Sequence, residues 1–249
     1  MPLRTLTLAS VSSLLCVLAA LPLRAETVTL TTGPDEPPFT DRNRPDGGTA
    51  TRLVLAVFRA MGVETKLDWL PWRRGYNLTK NGIYRASFPY LRTSDREPDF
   101  LFSDTLYSAE TYLWTRAGDS LTASDPAGFA HRSICVPQGY HSPLMVVLEG
   151  MIERGEVQVE RPDTPRKCVQ MLAAGRIDAL SGQEVEINLH AEAEGVAGKI
   201  TRSASPLMHV DFHVVFSRQG VDNQPLLERF NQALQKMKDD GSYAEVMSR

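Results

Sequence analysis

From residue 27 onward the apolar positions switch between two spacings. Val28 and Leu30 alternate with threonines, which predicts a strand, and the Gly33-Pro34-Asp35-Glu36-Pro37-Pro38 run behind them predicts a loop. Between residues 50 and 61, Leu53, Ala56, Val57, Ala60 and Met61 fall on one helical face, and Gly62 ends that helix. A strand over 65–70, a helix over 71–80 stopped at Asn81-Gly82, and a strand over 84–90 follow. Strand and helix in alternation point to a largely parallel sheet.

The second half repeats the plan. Strands are expected over 133–136, 157–160 and 177–181, with helices over 141–154 and 164–174 between them. Leu78 to Ala86 and Leu172 to Ala179 have the same order of helix end, glycine stop and strand start. Two similar α/β lobes are therefore expected. One amphipathic segment remains after the second lobe is complete, with Leu226, Leu227, Phe230, Leu234 and Met237 on one face. Its apolar stripe needs a partner, and the first lobe is the expected place, so the chain would cross between lobes twice. The expected division is residues 26–110 with 212–249 in the first lobe and 111–211 in the second.

The amino terminus reads differently. Arg4 precedes an apolar run from Leu14 to Leu23 interrupted only by Pro22, and Leu23-Arg24-Ala25 leads into the polar Glu26-Thr27. This is the pattern of a secretory signal peptide over residues 1–25, cleaved after Ala25, and the run is about half the roughly 20 apolar residues a spanning helix needs. A soluble, exported chain in the periplasm is expected.

Composition adds exclusions. The 249 residues are 42% hydrophobic and 23% charged, an ordinary globular balance. Residues 1–25 hold two arginines and no acid, so the remainder carries 25 basic against 30 acidic side chains, a formal charge of -5. With no long basic run either, nucleic acid is not expected as a partner. Cys135 and Cys168 remain after cleavage, an even pair in an oxidising compartment, and one disulfide between them is expected. His131, His141, His190, His209 and His213 are scattered, and there is no metal-ligand spacing, phosphate loop or Ser-His-Asp constellation. Neither cofactor nor metal is expected.

The stretch from Thr93 to Tyr107, with Arg96 three residues after Thr93 and Phe102-Ser103-Asp104-Thr105-Leu106-Tyr107 beyond, resembles the pattern of family 3 extracellular solute-binding proteins, the periplasmic receptors of polar amino-acid ABC importers. Pro37-Pro38-Phe39, Gly175-Arg176-Ile177-Asp178-Ala179 and Asp240-Gly241-Ser242-Tyr243 extend the likeness in the expected order, the last as the turn after the final helix. The resemblance implies an α/β, two-lobed periplasmic binding protein of type II, with two crossing hinge strands. It implies a monomer that closes over a small carboxylate-bearing, amino-acid-like solute and delivers it to an inner-membrane ABC permease. It also assigns Arg96 to the solute carboxylate, with Thr93 beside it.

A guanidinium suits that role because its planar donor fork matches a carboxylate and keeps its charge. Trp72, Phe39 and Tyr90 are candidate walls of the cleft, and Gly139-Tyr140-His141-Ser142, which joins a strand to a helix, is a candidate to turn backbone N–H groups toward the solute carboxylate, with plain helix capping by Ser142 as the rival reading. Two positions depart from the pattern: Gln183 stands where an Asp usually meets the α-ammonium, and Glu36 where an aromatic residue usually precedes Pro-Pro-Phe. Two alternatives accompany the receptor reading. One is an exported enzyme of the cyclohexadienyl dehydratase type on the same fold, with Glu36, Glu184 or Glu186 as its acid. The other is a periplasmic sensing module acting through a separate protein.

Overall fold

The computed structural model describes residues 27–248; the expected signal peptide and its cleavage point lie outside them. The chain begins with strand β1 (Thr27–Thr32), a small hairpin of β2 (Asp35–Glu36) and β3 (Thr40–Asp41), helix α1 (Thr49–Ala60), β4 (Glu64–Trp69), α2 (Trp72–Lys80) and β5 (Ala86–Leu91). Strand β6 (Phe100–Phe102) and the long β7 (Tyr107–Arg116) follow. Then come β8 (Ser133–Cys135), α3 (Pro143–Val147), α4 (Glu149–Glu153), β9 (Gln158–Glu160), α5 (Pro165–Ala173), β10 (Ala179–Gln183) and α6 (Glu184–Ala193). The chain closes with β11 (Ile200–Arg202), the long β12 (Met208–Ser217), α7 (Gln224–Asp239) and α8 (Ser242–Met247).

One curled sheet runs in the order β4-β1-β5-β12-β7-β10-β8-β9, with β6 on β12 and β11 on β7. Its middle is the antiparallel pair of β7 and β12, in register from Met208 opposite Thr111 to Phe212 opposite Tyr107. Beyond that pairing the two strands part. The end of β7 pairs with β10 and β11, whereas the end of β12 pairs with β5 and β6. These are the two crossing strands of a two-lobed type II periplasmic binding protein.

Burial separates the lobes. In the first, Val28 and Leu30 of β1 and Leu53, Val54, Val57 and Phe58 of α1 are wholly buried. Helix α7 completes this core: the Phe230 ring lies 5.2 Å from Phe58 and 5.7 Å from Phe216. The second lobe has two clusters, one around Cys135, Cys168, Leu172 and Ile187, the other around Phe129, Ile134 and Leu144. Cys135 and Cys168 are joined by a disulfide, with Cα atoms 5.6 Å apart.

Three local expectations are corrected. The helix expected over 141–154 is two five-residue helices, α3 and α4, which meet at Leu148. The strand expected from residue 177 starts at Ala179, because the Asp178 side chain accepts the Ser133 N–H at 2.9 Å and pairs with Arg116 and Arg132. The turn at Asp240-Gly241 is not the end of the fold: Gly241 takes a left-handed φ of 85° and leads into α8, whose Val246 and Met247 pack on the first core.

Candidate functional site

Arg96 is carried by a tight turn. The Thr93 carbonyl accepts the backbone N–H groups of Arg96 and Glu97 at 3.0 and 3.1 Å, and this aims the Arg96 side chain back toward the end of β5. There Arg96 is 6% exposed, donates from Nη1 to the Leu91 carbonyl at 3.1 Å, and lies over the rings of Tyr90 and Tyr76 at 5.1 and 5.7 Å. Among the described residues it has no carboxylate within ion-pair distance. Burial holds its pKa below the ordinary guanidinium range, but an arginine keeps its charge.

The space beside it is a cavity of about 80 Å³ between the lobes. Trp72, Tyr90 and Glu36 line it from the first lobe, and Tyr140, Ser181, Gln183 and Glu186 from the second. The lobes touch around it. Arg96 Nη2 donates to the Gly139 carbonyl at 3.4 Å, Arg73 to the Gln138 side chain at 3.4 Å, and the Trp72 and Tyr140 rings meet edge to face at 5.5 Å. Gly139 is required at this crossing, because its φ is +86° and a Cβ would stand 2.6 Å from the Arg73 nitrogen. Trp72 is fixed by an edge contact with Tyr90 at 5.8 Å and by donating from Nε1 to Asp35 at 3.0 Å.

The end away from the arginine is acidic. Glu36 and Glu186 are each 5% exposed, and neither has an ion-pair partner among the described residues. Burial, with the Glu186 charge adding, pushes Glu36 well above the ordinary carboxyl range. Burial, with Asp35 adding, raises Glu186 to about 8. Asp35 itself is raised to about 6 by burial, against the opposing pull of the Trp72 hydrogen bond. Gln183 donates from Nε2 to Glu36 at 3.4 Å, leaving its own buried Oε1 without a partner. Three acceptors thus meet at one end of the cavity while a guanidinium stands at the other.

Six of the eight candidate residues line this cavity: Arg96, Trp72, Glu36, Tyr90, Tyr140 and Gln183. Phe39 does not, because its ring stacks on Tyr107 at 5.0 Å, on the outside of the first core. Thr93 faces a neighbouring opening and serves the cavity only through the turn that carries Arg96. Of the other acids weighed, Glu184 points away and pairs with Arg202 at 2.8 Å, whereas Glu186 enters the cavity. The sequence signal for Glu186 was its place two residues past Glu184, on the opposite side of the first turn of α6. Ser142, at the head of α3, accepts the Leu144 N–H at 3.2 Å and is a helix cap.

The model of the bacterial extracellular solute-binding proteins, family 3, matches residues 28–249, and the chain belongs to that family. No curated protein matches the sequence. Among solved structures, an ancestral arginine-binding protein bound to arginine is 22% identical, with 89% of this chain and 96% of that one covered and a TM-score of 0.72. An amino acid ABC transporter substrate-binding protein from Streptococcus pneumoniae bound to L-arginine is 18% identical, covering 89% and 93%, with a TM-score of 0.73. A histidine kinase sensor domain similar to periplasmic binding proteins is 17% identical, covering 90% and 96%, with a TM-score of 0.76.

Proposed function

We propose that the protein is an exported receptor, freed of residues 1–25, that closes over a compact amino-acid-like zwitterion and hands it to an inner-membrane ABC permease. Residues 26–110 with 212–249 act as one rigid lobe and residues 111–211 as the other, with β7 and β12 as the hinge. The observation that carries this reading is the polarity of one small interlobe cavity: a buried guanidinium without a carboxylate partner at one end, two buried carboxyls and an orphaned amide oxygen at the other.

Arg96 grips the solute carboxylate with two parallel hydrogen bonds. An ammonium has three N–H donors and no acceptor, which suits the acceptors of Glu36, Glu186 and Gln183. The countercharge absent at Gln183 is thereby supplied from two neighbouring positions. Trp72, Tyr90 and Tyr140 wall the solute between these ends. A thermal-shift screen of the mature protein against amino acids, amines and small carboxylates tests this, because a solute that binds only the native state raises the melting temperature. Zwitterions should raise it, simple amines and simple carboxylates should not, and Arg96→Ala should abolish the effect.

One observation favours the dehydratase-type enzyme as a second reading. A carboxyl held protonated near neutrality in the same cavity as a guanidinium is what acid-assisted loss of a hydroxyl from a bound, carboxylate-bearing substrate requires. Release of an aromatic product from a cyclohexadienyl acid, followed by ultraviolet absorbance and lost in Glu186→Gln, would decide for it. The likeness to a kinase sensor domain supports the sensing alternative at the level of fold alone.

A further inference from the structure

The geometry points to a proton-operated latch: we propose that protons held by Glu36 and Glu186 take the place of the solute's cation and let the lobes close over an empty cleft. The proposal rests on the reading of this cleft as the solute site, and it adds regulation to that reading.

Glu36 stands on β2 in the first lobe and Glu186 on α6 in the second, so closure brings the two carboxyls to one cavity from opposite sides. Both lose their water as they arrive, being 5% exposed in this closed arrangement. Two ionised carboxylates buried together without a base repel each other and lack compensation for lost hydration. Among the described residues, the side-chain hydrogen bond that reaches either carboxyl is the 3.4 Å contact from Gln183 to Glu36, the Gln183 backbone N–H assists Glu186, and neutral amides supply no charge.

The remaining neighbours do not supply one at this end. Asp35, on β2 beside Glu36, adds negative charge to both, and Asp163 acts on Asp35 in the same sense. Tyr90 on β5, Tyr107 on β7 and Tyr140 ahead of α3 are buried phenols whose ionisation is pushed upward, so they stay neutral. His190, one turn along α6 from Glu186, and His141, in the turn before α3, are both lowered by burial first and are neutral above their titration. Among the described residues Arg96 is the one buried arginine or lysine, and it lines the end of the cavity assigned to the solute carboxylate. Closure therefore needs a cation between the two acids, either an ammonium or protons.

The sign follows from linkage. In the open form water restores both carboxyls to their ordinary range, near 4.5, whereas in the closed form they hold protons more tightly. Acid therefore shifts the empty protein toward the closed form, and this drive fades as pH rises through about 8. A solute ammonium needs at least one ionised carboxylate, so protons and solute compete for the same gap. Acid would then both close the empty receptor and weaken solute capture.

Small-angle scattering of the mature, solute-free protein at pH 5.5 and pH 9 tests the latch, with far-ultraviolet circular dichroism to confirm folding at both. The radius of gyration should fall from pH 9 to pH 5.5. Glu36→Gln and Glu186→Gln, examined singly, should each be more compact than the parent at pH 9 and respond less to acid; a folded variant of either kind suffices. Asp35→Asn should keep the response and move it to lower pH. An unchanged radius between the two pH values in the parent protein would overturn the proposal. So would a full response retained in both Glu variants, or a response lost in Asp35→Asn alone. Because no solute is present, the outcomes separate cleanly. Acid closure without any zwitterion binding removes the receptor reading and leaves the latch, and Arg96-dependent binding without acid closure removes the latch and leaves the receptor.

Discussion

Gln183 Nε2 reaches across the cleft to Glu36 Oε1 at 3.4 Å, joining the cap position of α6 in one lobe to the short strand β2 in the other. These are two positions at which the sequence departs from the pattern the chain resembles, and they meet. The amide orients one acceptor of the acidic end and leaves its own oxygen free for a donor.

Replacing Gln183 by Asp should therefore weaken zwitterion binding rather than strengthen it. The substitution removes the donor to Glu36 and sets a third carboxyl beside two that are already reluctant to ionise. Calorimetry at pH 7 should show a loss of roughly tenfold, about 1.4 kcal/mol. A gain would mean that the missing countercharge at this position governs specificity.

Arg96→Ala should cost at least ~2 kcal/mol of solute binding, about thirtyfold, because a charge-assisted pair in a water-poor cleft is lost and the solute carboxylate is left unpaired. Arg96→Lys should not restore it fully, since an ammonium cannot reproduce the bidentate fork. Titration calorimetry with whichever zwitterion gives the largest thermal shift is the measurement.

Asp35 offers a reporter on the site. Its carboxyl accepts the Trp72 N–H at 3.0 Å and is raised from 3.8 to about 6, first by burial. A carboxyl raised in the folded state contributes stability that is complete below its unfolded pKa and is lost as pH rises through the folded one. Tryptophan emission of the folded protein should titrate near pH 6, with Asp35→Asn removing that transition and reducing the loss of melting temperature between pH 4 and pH 7.

The disulfide between Cys135 and Cys168 links β8 to α5 across 33 positions. In the chain-entropy account a loop of this length stabilises by about 3 to 4 kcal/mol. Thiol counting on the unreduced protein should find no free thiol in residues 26–249, and Cys135→Ala with Cys168→Ala should lower the melting temperature with the lobe 1 core intact by hydrogen exchange.

Phe230→Ala tests the division into lobes. The side chain is wholly buried between Phe58 and Phe216, so truncation should cost about 3 to 5 kcal/mol. Hydrogen-exchange protection should fall in β1, α1 and β5 before it falls in β8 and β10.

Much of this molecule was legible in the order of its residues. The alternation in β1, the apolar face of α1 and the glycine stops at Gly62, Gly82 and Gly175 are local signals, and local signals survive without knowledge of the fold. The unpartnered stripe of α7 even implied the return to the first lobe, because an apolar face must be buried somewhere. Arg96 and Trp72 were candidates through the resemblance to the family, and Tyr140 through its place at a strand-to-helix junction.

Helix α6 was not. Its inward face carries Glu186 and His190 together with Ile187 and Ala191, while Val185 and Leu189 lie outside at 44% and 37% exposure, so the apolar period that announces a helix is scrambled. That inversion marks the site: a cleft that needs charge must turn polar side chains inward, and a pattern reading built on burial of apolar residues passes over it. Phe39 fails for the converse reason, since an aromatic beside the cleft loop packs wherever a ring faces it, and Tyr107 does. Sequence by itself determined most of the alternating strands and helices and the likeness to the family, because these rest on interactions within a few residues and on short motifs. Only the tertiary structure decided which charges share one buried space, because Glu36 and Glu186 are 150 positions apart in the chain, and their burial and mutual repulsion exist only when two lobes meet.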